Sequence, residues 1–293
     1  MWAAALAFTL WGFFPLYFRL QPGIVPPEVL ANRIVWALLL VAMILTWQRR
    51  WSWLGPALRS RRVMASFVAS ALLLSANWMT YIWAVSNGHV VEASLGYFIT
   101  PLVNVGLGYG LLGERPRRAQ WIALAVAAAG VVWLTVSAGR LPWIGLVLGL
   151  SFGAYGLLRK VATLGALEGL TLETMILAPA AIVAMAWWWG GSATSFPAPT
   201  LATNLWLVGL GPATTAPLLL FALAARKLSM TTLGLVQYLS PTIQFLLGIW
   251  LFHEPFSAMR LVGFAFIWIA LALYSLDGWR RRGLAVAPEP AAS

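Results

Sequence analysis

Cysteine is absent from all 293 residues, which removes disulfides, thiolate metal sites and a cysteine nucleophile together. Charge is scarce too: 9% of the residues are Asp, Glu, Lys or Arg, against about 25% in a soluble domain. Acid is scarcest. Asp277 is the only aspartate, and it lies near the C-terminal end, so an intramembrane aspartate pair is excluded. The two histidines, His89 and His253, lack metal-ligand spacing; neither HExxH nor GxxxxGK[ST] occurs. Metal hydrolysis and ATP coupling within the chain are therefore excluded. No cofactor or metal is implied, and the pattern argues against an enzyme.

What fills the space is apolar: 61% of the residues, with a mean hydropathy of +0.83. Such a chain cannot cover its own surface in water, so it is read as an all-α integral membrane protein whose main partner is the lipid bilayer. The net charge of +11 does not argue for nucleic acid, because the basic residues sit between apolar runs rather than on one face. The first run has no basic leader before it and no small-residue cleavage site after it, so it is expected to be a retained span rather than a signal peptide.

A span needs roughly 20 apolar residues. Ten runs qualify, at 2–20, 28–47, 63–85, 90–112, 119–137, 142–160, 169–190, 203–225, 229–252 and 257–276; residues 283–293 read as a disordered tail. Fifteen Lys and Arg residues fall in alternate loops, against Arg19, Arg140 and Arg260 on the other side, with Arg33 inside the second span. The positive-inside rule then places both termini in the cytoplasm.

An offset of 140 residues aligns Thr100-Pro101 with Ser240-Pro241, Leu107-Gly108 with Leu247-Gly248, Glu114 with Glu254 and Arg19 with Arg159. Residues 1–137 and 141–276 thus read as two five-helix repeats. Five is odd, so the second repeat is inverted, an architecture common among transporters.

Tyr97, Pro101, Asn104 and Gly108 share one helix face, as do Gln237, Pro241, Gln244 and Gly248. Each proline frees the carbonyl four residues earlier, which costs several kcal/mol in lipid unless protein or cavity water satisfies it. Kinked packing helices and a polar face lining a pathway both fit this pattern. The pathway reading gathers Trp11, Asn77, Trp78, Tyr81, Tyr97, Asn104, Tyr155, Gln237, Tyr238 and Gln244 around a cavity, with kinks at Pro15, Pro101 and Pro241. Aromatics and amides suit a zwitterionic or amphipathic small solute. Trp47, Trp51, Trp143 and Trp187 to Trp189 read as an interfacial belt. Glu28, Arg33 and Glu92 lie near the outer ends of their spans, where an outer-gate reading competes with snorkelling interfacial side chains and with a pairing of Arg33 to Glu28 or Glu92. No acidic residue is placed at the midplane, so a carboxylate proton relay is not indicated.

Several runs resemble a known family. Asn77-Trp78, Trp83-Ala84-Val85, the stretch from Glu92 to Asn104 (EASLGYFITPLVN), Gly113-Glu114-Arg115, Arg118-Ala119-Gln120-Trp121, Gln237 to Thr242 (QYLSPT) and Phe264 to Trp268 (FAFIW) are similar to the drug/metabolite transporter superfamily, most of all its EamA-type, RarD-like permeases. The resemblance covers nearly the whole chain. It implies ten helices in two inverted repeats, secondary transport across the bacterial inner membrane, and export of small metabolites, with amino-acid exporters of the YddG type among the relatives. The expectation is a monomeric exporter of aromatic or neutral amino acids or similar metabolites, working by alternating access. A multidrug or chloramphenicol-type exporter and a solute channel are the alternatives.

Overall fold

In hydrocarbon the backbone must pair its own polar groups, and long apolar runs do so as helices. The computed structural model describes residues 1–20, 24–87, 89–139, 143–188, 196–198 and 200–251, with a broken series between 259 and 276; their regular structure is entirely helical. In order these are α1 (Trp2–Gly12), α2 (Phe14–Arg19), α3 (Pro26–Trp47), α4 (Leu54–Arg59), α5 (Arg61–Ser86), α6 (Val90–Leu112), α7 (Arg118–Ala138), α8 (Trp143–Val161), α9 (Ala166–Trp188), α10 (Leu201–Lys227), α11 (Met230–Gln237) and α12 (Leu239–Trp250). Among the described residues six helices, α3, α5, α7, α8, α9 and α10, are long and apolar enough to cross a bilayer.

The other expected spans are assembled differently. The first is split into α1 and α2 at Phe13, and the ninth into α11 and α12 at Tyr238. The described positions of the tenth, between 259 and 276, are helical; Arg140, His253, Glu254, Arg260, Asp277 and the tail at 283–293 lie outside the described residues.

The breaks in the helices do not fall on the prolines expected to kink. Pro15 is the second residue of α2, just after the break at Phe13. At Pro101 the helix α6 runs on without interruption. Thr100 Oγ1 donates to the Gly96 carbonyl at 2.8 Å, binding the turn from the side chain. In the ninth span the break falls at Tyr238, three residues before Pro241.

Packing is closest between α6 and α8. A Cβ built on Gly149 would lie 2.7 Å from Ile99, and one on Gly153 2.5 Å from Val103, so only glycine lets the backbones approach this far. Helix α3 lies along α9, α10 on α3, α5 on α8, α1 on α10 and α12, and α11 on α6. One core cluster joins Phe8, Leu74, Leu210 and Phe221; a second joins Phe98, Ala123, Ala127 and Tyr238. Trp2, Trp47, Trp187 and Trp250 are strongly exposed at or near helix ends, as interfacial aromatics are.

One end of the bundle is tied by charge. Glu114, just past α6, accepts from the backbone N–H of Met230 (2.8 Å) and Thr231 (3.2 Å), capping the start of α11. Lys160, near the end of α8, approaches Glu114 at 3.7 Å and donates to the Leu228 carbonyl. Arg50 pairs with Glu168 at 2.5 Å, and Arg226 donates to the Leu164 carbonyl at 2.8 Å.

Candidate functional site

A cavity lies among α1, α2, α3, α5, α6, α8, α11 and α12, lined by Phe8, Trp11, Phe14, Arg33, Asn77, Trp78, Tyr81, Gly96, Tyr97, Thr100, Leu148, Phe152, Gln237 and Ser240. Its empty space is about 660 Å³ when the open solvent at its mouth is counted in. The enclosed part has room for a few waters.

Six of the ten residues assigned to a cavity from sequence meet here: Trp11, Asn77, Trp78, Tyr81, Tyr97 and Gln237. Asn77 Nδ2 donates to the Leu148 carbonyl and to Ser151 Oγ, both at 3.0 Å, which pins α5 to α8 and occupies its amide donors. The Tyr81 and Tyr97 rings meet edge to face at 5.8 Å, near enough to the Arg33 guanidinium to interact electrostatically.

The remaining four are placed elsewhere. Asn104 Nδ2 donates to Gln237 Oε1 at 3.2 Å, so it braces α6 against α11 behind the lining. Gln244 Nε2 donates at 3.2 Å to the Trp11 carbonyl. That carbonyl is the one whose helical partner Pro15 lacks, so Gln244 supports the broken first span. Tyr155 stacks on Phe221 at 5.8 Å, and Tyr238 is sealed against Phe98, whose carbonyl accepts its hydroxyl at 3.3 Å. Each is large and apolar-bodied, and each turned to the core rather than to the cavity.

The outer-gate set is redistributed. Arg33 is 3% exposed and belongs to the cavity: its Nε donates to Thr214 Oγ1 at 3.1 Å, and its guanidinium lies 4.3 Å from the Trp78 ring centroid and 5.4 Å from that of Phe14. It does not snorkel, because Thr214 and the two rings hold its head inside. Glu28 is buried, and the Glu92 side chain lies outside the described residues.

Sequence reasoning missed Phe8, Phe14, Thr100, Phe152 and Ser240. Thr100 and Ser240 carried a signal, since they are the hydroxyl pair preceding the aligned prolines. It also missed Glu173 on α9, a fully buried carboxylate. Ser70 Oγ donates to it, and Arg159 Nη1 lies 3.6 Å away, with that guanidinium 5.7 Å from the Phe67 ring. Both partners are shielded from solvent, so removing either would strand a buried charge.

Residues 1–136 match the EamA-like transporter family. An uncharacterized transporter of Pseudomonas aeruginosa is 46% identical over 274 residues, covering 94% of this chain and 92% of its own length. Protein RarD of Escherichia coli is 40% identical over 274 residues, 94% of this chain and 93% of that protein. The chloramphenicol-sensitive protein RarD of Pseudomonas aeruginosa is 32% identical over 92% of this chain and 93% of its own. A crystal structure at 19% identity superposes with a TM-score of 0.69 over 94% of this chain and 97% of the other, a likeness of fold alone.

Proposed function

This chain belongs to the EamA-like transporter family, among its RarD proteins, and from that premise we propose that it exports amino acids or similar small metabolites by alternating access. It is a multi-pass transporter of the bacterial inner membrane and not an enzyme. The observation that carries the reading is the aromatic and amide cavity built by helices from both parts of the chain.

In this reading ten spans form two inverted five-helix repeats with cytoplasmic termini. The helix pairing supports the two-fold relation of the two parts: α6 on α8 is matched by α11–α12 on α1, α10 on α3 by α5 on α9, and α5 on α8 by α10 on α1. Each pair becomes its counterpart when the repeats are exchanged. The ties through Glu114 and Lys160 then close the cytoplasmic end.

Proteoliposomes loaded with unlabelled phenylalanine and given labelled phenylalanine outside test the substrate. Saturable uptake with counter-exchange is expected; flux that never saturates would mean a channel, and no flux for any neutral amino acid would overturn this substrate class. Because the chain has no cysteine, single-cysteine variants test orientation. A membrane-impermeant maleimide should label Thr200→Cys in intact cells and Ser60→Cys only after permeabilisation. The reverse pattern overturns cytoplasmic termini.

A further inference from the structure

The cavity holds a cation whose carboxylate partner is missing from its lining. Among the described residues no Asp or Glu lines the cavity, and Arg33 makes no ion pair. Thr214 takes its Nε–H, and Trp78 stands over one side of the guanidinium. The terminal N–H groups of the fork make no hydrogen bond with the described residues. A guanidinium away from bulk water is costly to leave without an anion, and a cation–π contact offsets only part of that cost. The planar fork of arginine matches a carboxylate through two parallel N–H donors.

The other polar groups around it offer less. The Asn77 amide donors are spent on α8, and the Gln237 carbonyl oxygen is taken by Asn104. Most of the remaining lining is aromatic, with Trp11 and Phe152 edge to face at 5.5 Å. An ammonium group would find no carboxylate there, only ring faces and hydroxyls.

We propose that Arg33 is the anion-binding group of this cavity and that the cavity selects monocarboxylates with an aromatic or apolar body. A free amino group on the solute is then unnecessary. The inference rests on the reading of this cavity as the transport site and narrows its substrate class.

The test uses the full-length protein in nanodiscs and two probes of the same shape, 3-phenylpropionate and 3-phenylpropionamide, measured by equilibrium binding. The carboxylate should bind at least tenfold tighter than the amide. In Arg33→Gln, checked for monodispersity, that preference should fall to about unity; Arg33→Lys, which keeps the charge without the fork, should retain part of it. Equal binding of the two probes, no binding of either, or an undiminished preference in a folded Arg33→Gln protein would overturn the proposal. Should Arg33→Gln fail to fold, the two probes on the parent protein and on Arg33→Lys still decide. Proteoliposome flux separates the two readings. A carboxylate preference in binding with no flux of 3-phenylpropionate or phenylalanine sinks the transport reading alone. Saturable phenylalanine flux without that preference sinks this inference alone.

Discussion

Helix α6 and the pair α11–α12 carry the same pattern 140 residues apart, yet one is a single helix and the other is broken. In α6 the turn before Pro101 is held by the Thr100 hydroxyl, and the helix is backed by the glycines of α8. In its counterpart Ser240 lines the cavity and accepts only a 3.5 Å contact from Gln244, while Thr242 Oγ1 closes on the Tyr238 carbonyl at 2.8 Å. The first spans of the two parts differ in the opposite sense: α1–α2 is broken at Phe13 and α8 is continuous. A proline thus permits a break, and the neighbours decide where one forms. Tyr238 touches Phe98, its own counterpart at the 140-residue offset, so the two unlike helices meet at matching positions.

The contrast can be broken most severely at Gly153. Gly153→Leu drives a side chain into Val103 and should cost about 1–3 kcal/mol or more, seen as a lower melting temperature of the purified protein. Gly106→Ala, with open space around it, should melt no lower than the parent. Equal melting of Gly153→Leu and the parent would mean that α6 and α8 do not meet this closely at Gly153.

A smaller effect is expected at Glu114, which ties α11 to the end of α6. Glu114→Ala leaves the N–H groups of Met230 and Thr231 uncapped and should cost about 1–2 kcal/mol. Hydrogen exchange should quicken in α11 and not in α6. Lys160→Ala should cost less than about 1 kcal/mol, because a partly exposed pair contributes little.

The smallest effects compare the two hydroxyls directly. Thr100→Val removes a 2.8 Å bond and should cost about 0.5–1.5 kcal/mol. Ser240→Ala removes a 3.5 Å contact and should cost close to nothing. Equal losses in chemical denaturation would dissolve the difference between the two helices.

Much of the helix order was legible, because apolar runs of span length leave few alternatives to a helix. Where the helices break was not, since Pro101 and Pro241 look alike until Thr100 and the α8 glycines are set beside them. Spacing placed Trp11, Asn77, Tyr97 and Gln237 on faces that do converge. It could not separate Gln237 from its neighbour Tyr238, which lies about 100° around the same helix and turns to the core. Arg33 was visible as a charge inside a span. Its partners, Thr214 and Trp78, are 181 and 45 residues away, beyond the reach of any local pattern. Glu173 was hidden for the same reason: Ser70 is 103 residues away from it.

The glycine seam between α6 and α8 also constrains the mechanics of the bundle. It laminates a helix before residue 137 to one after residue 141, with side chains too closely meshed to slide. Under the proposed alternating access, a stiff slat made of those two plies would swing as one piece. On that reading the hinge lines cut across the boundary between residues 137 and 141, and neither half of the sequence is by itself a moving part.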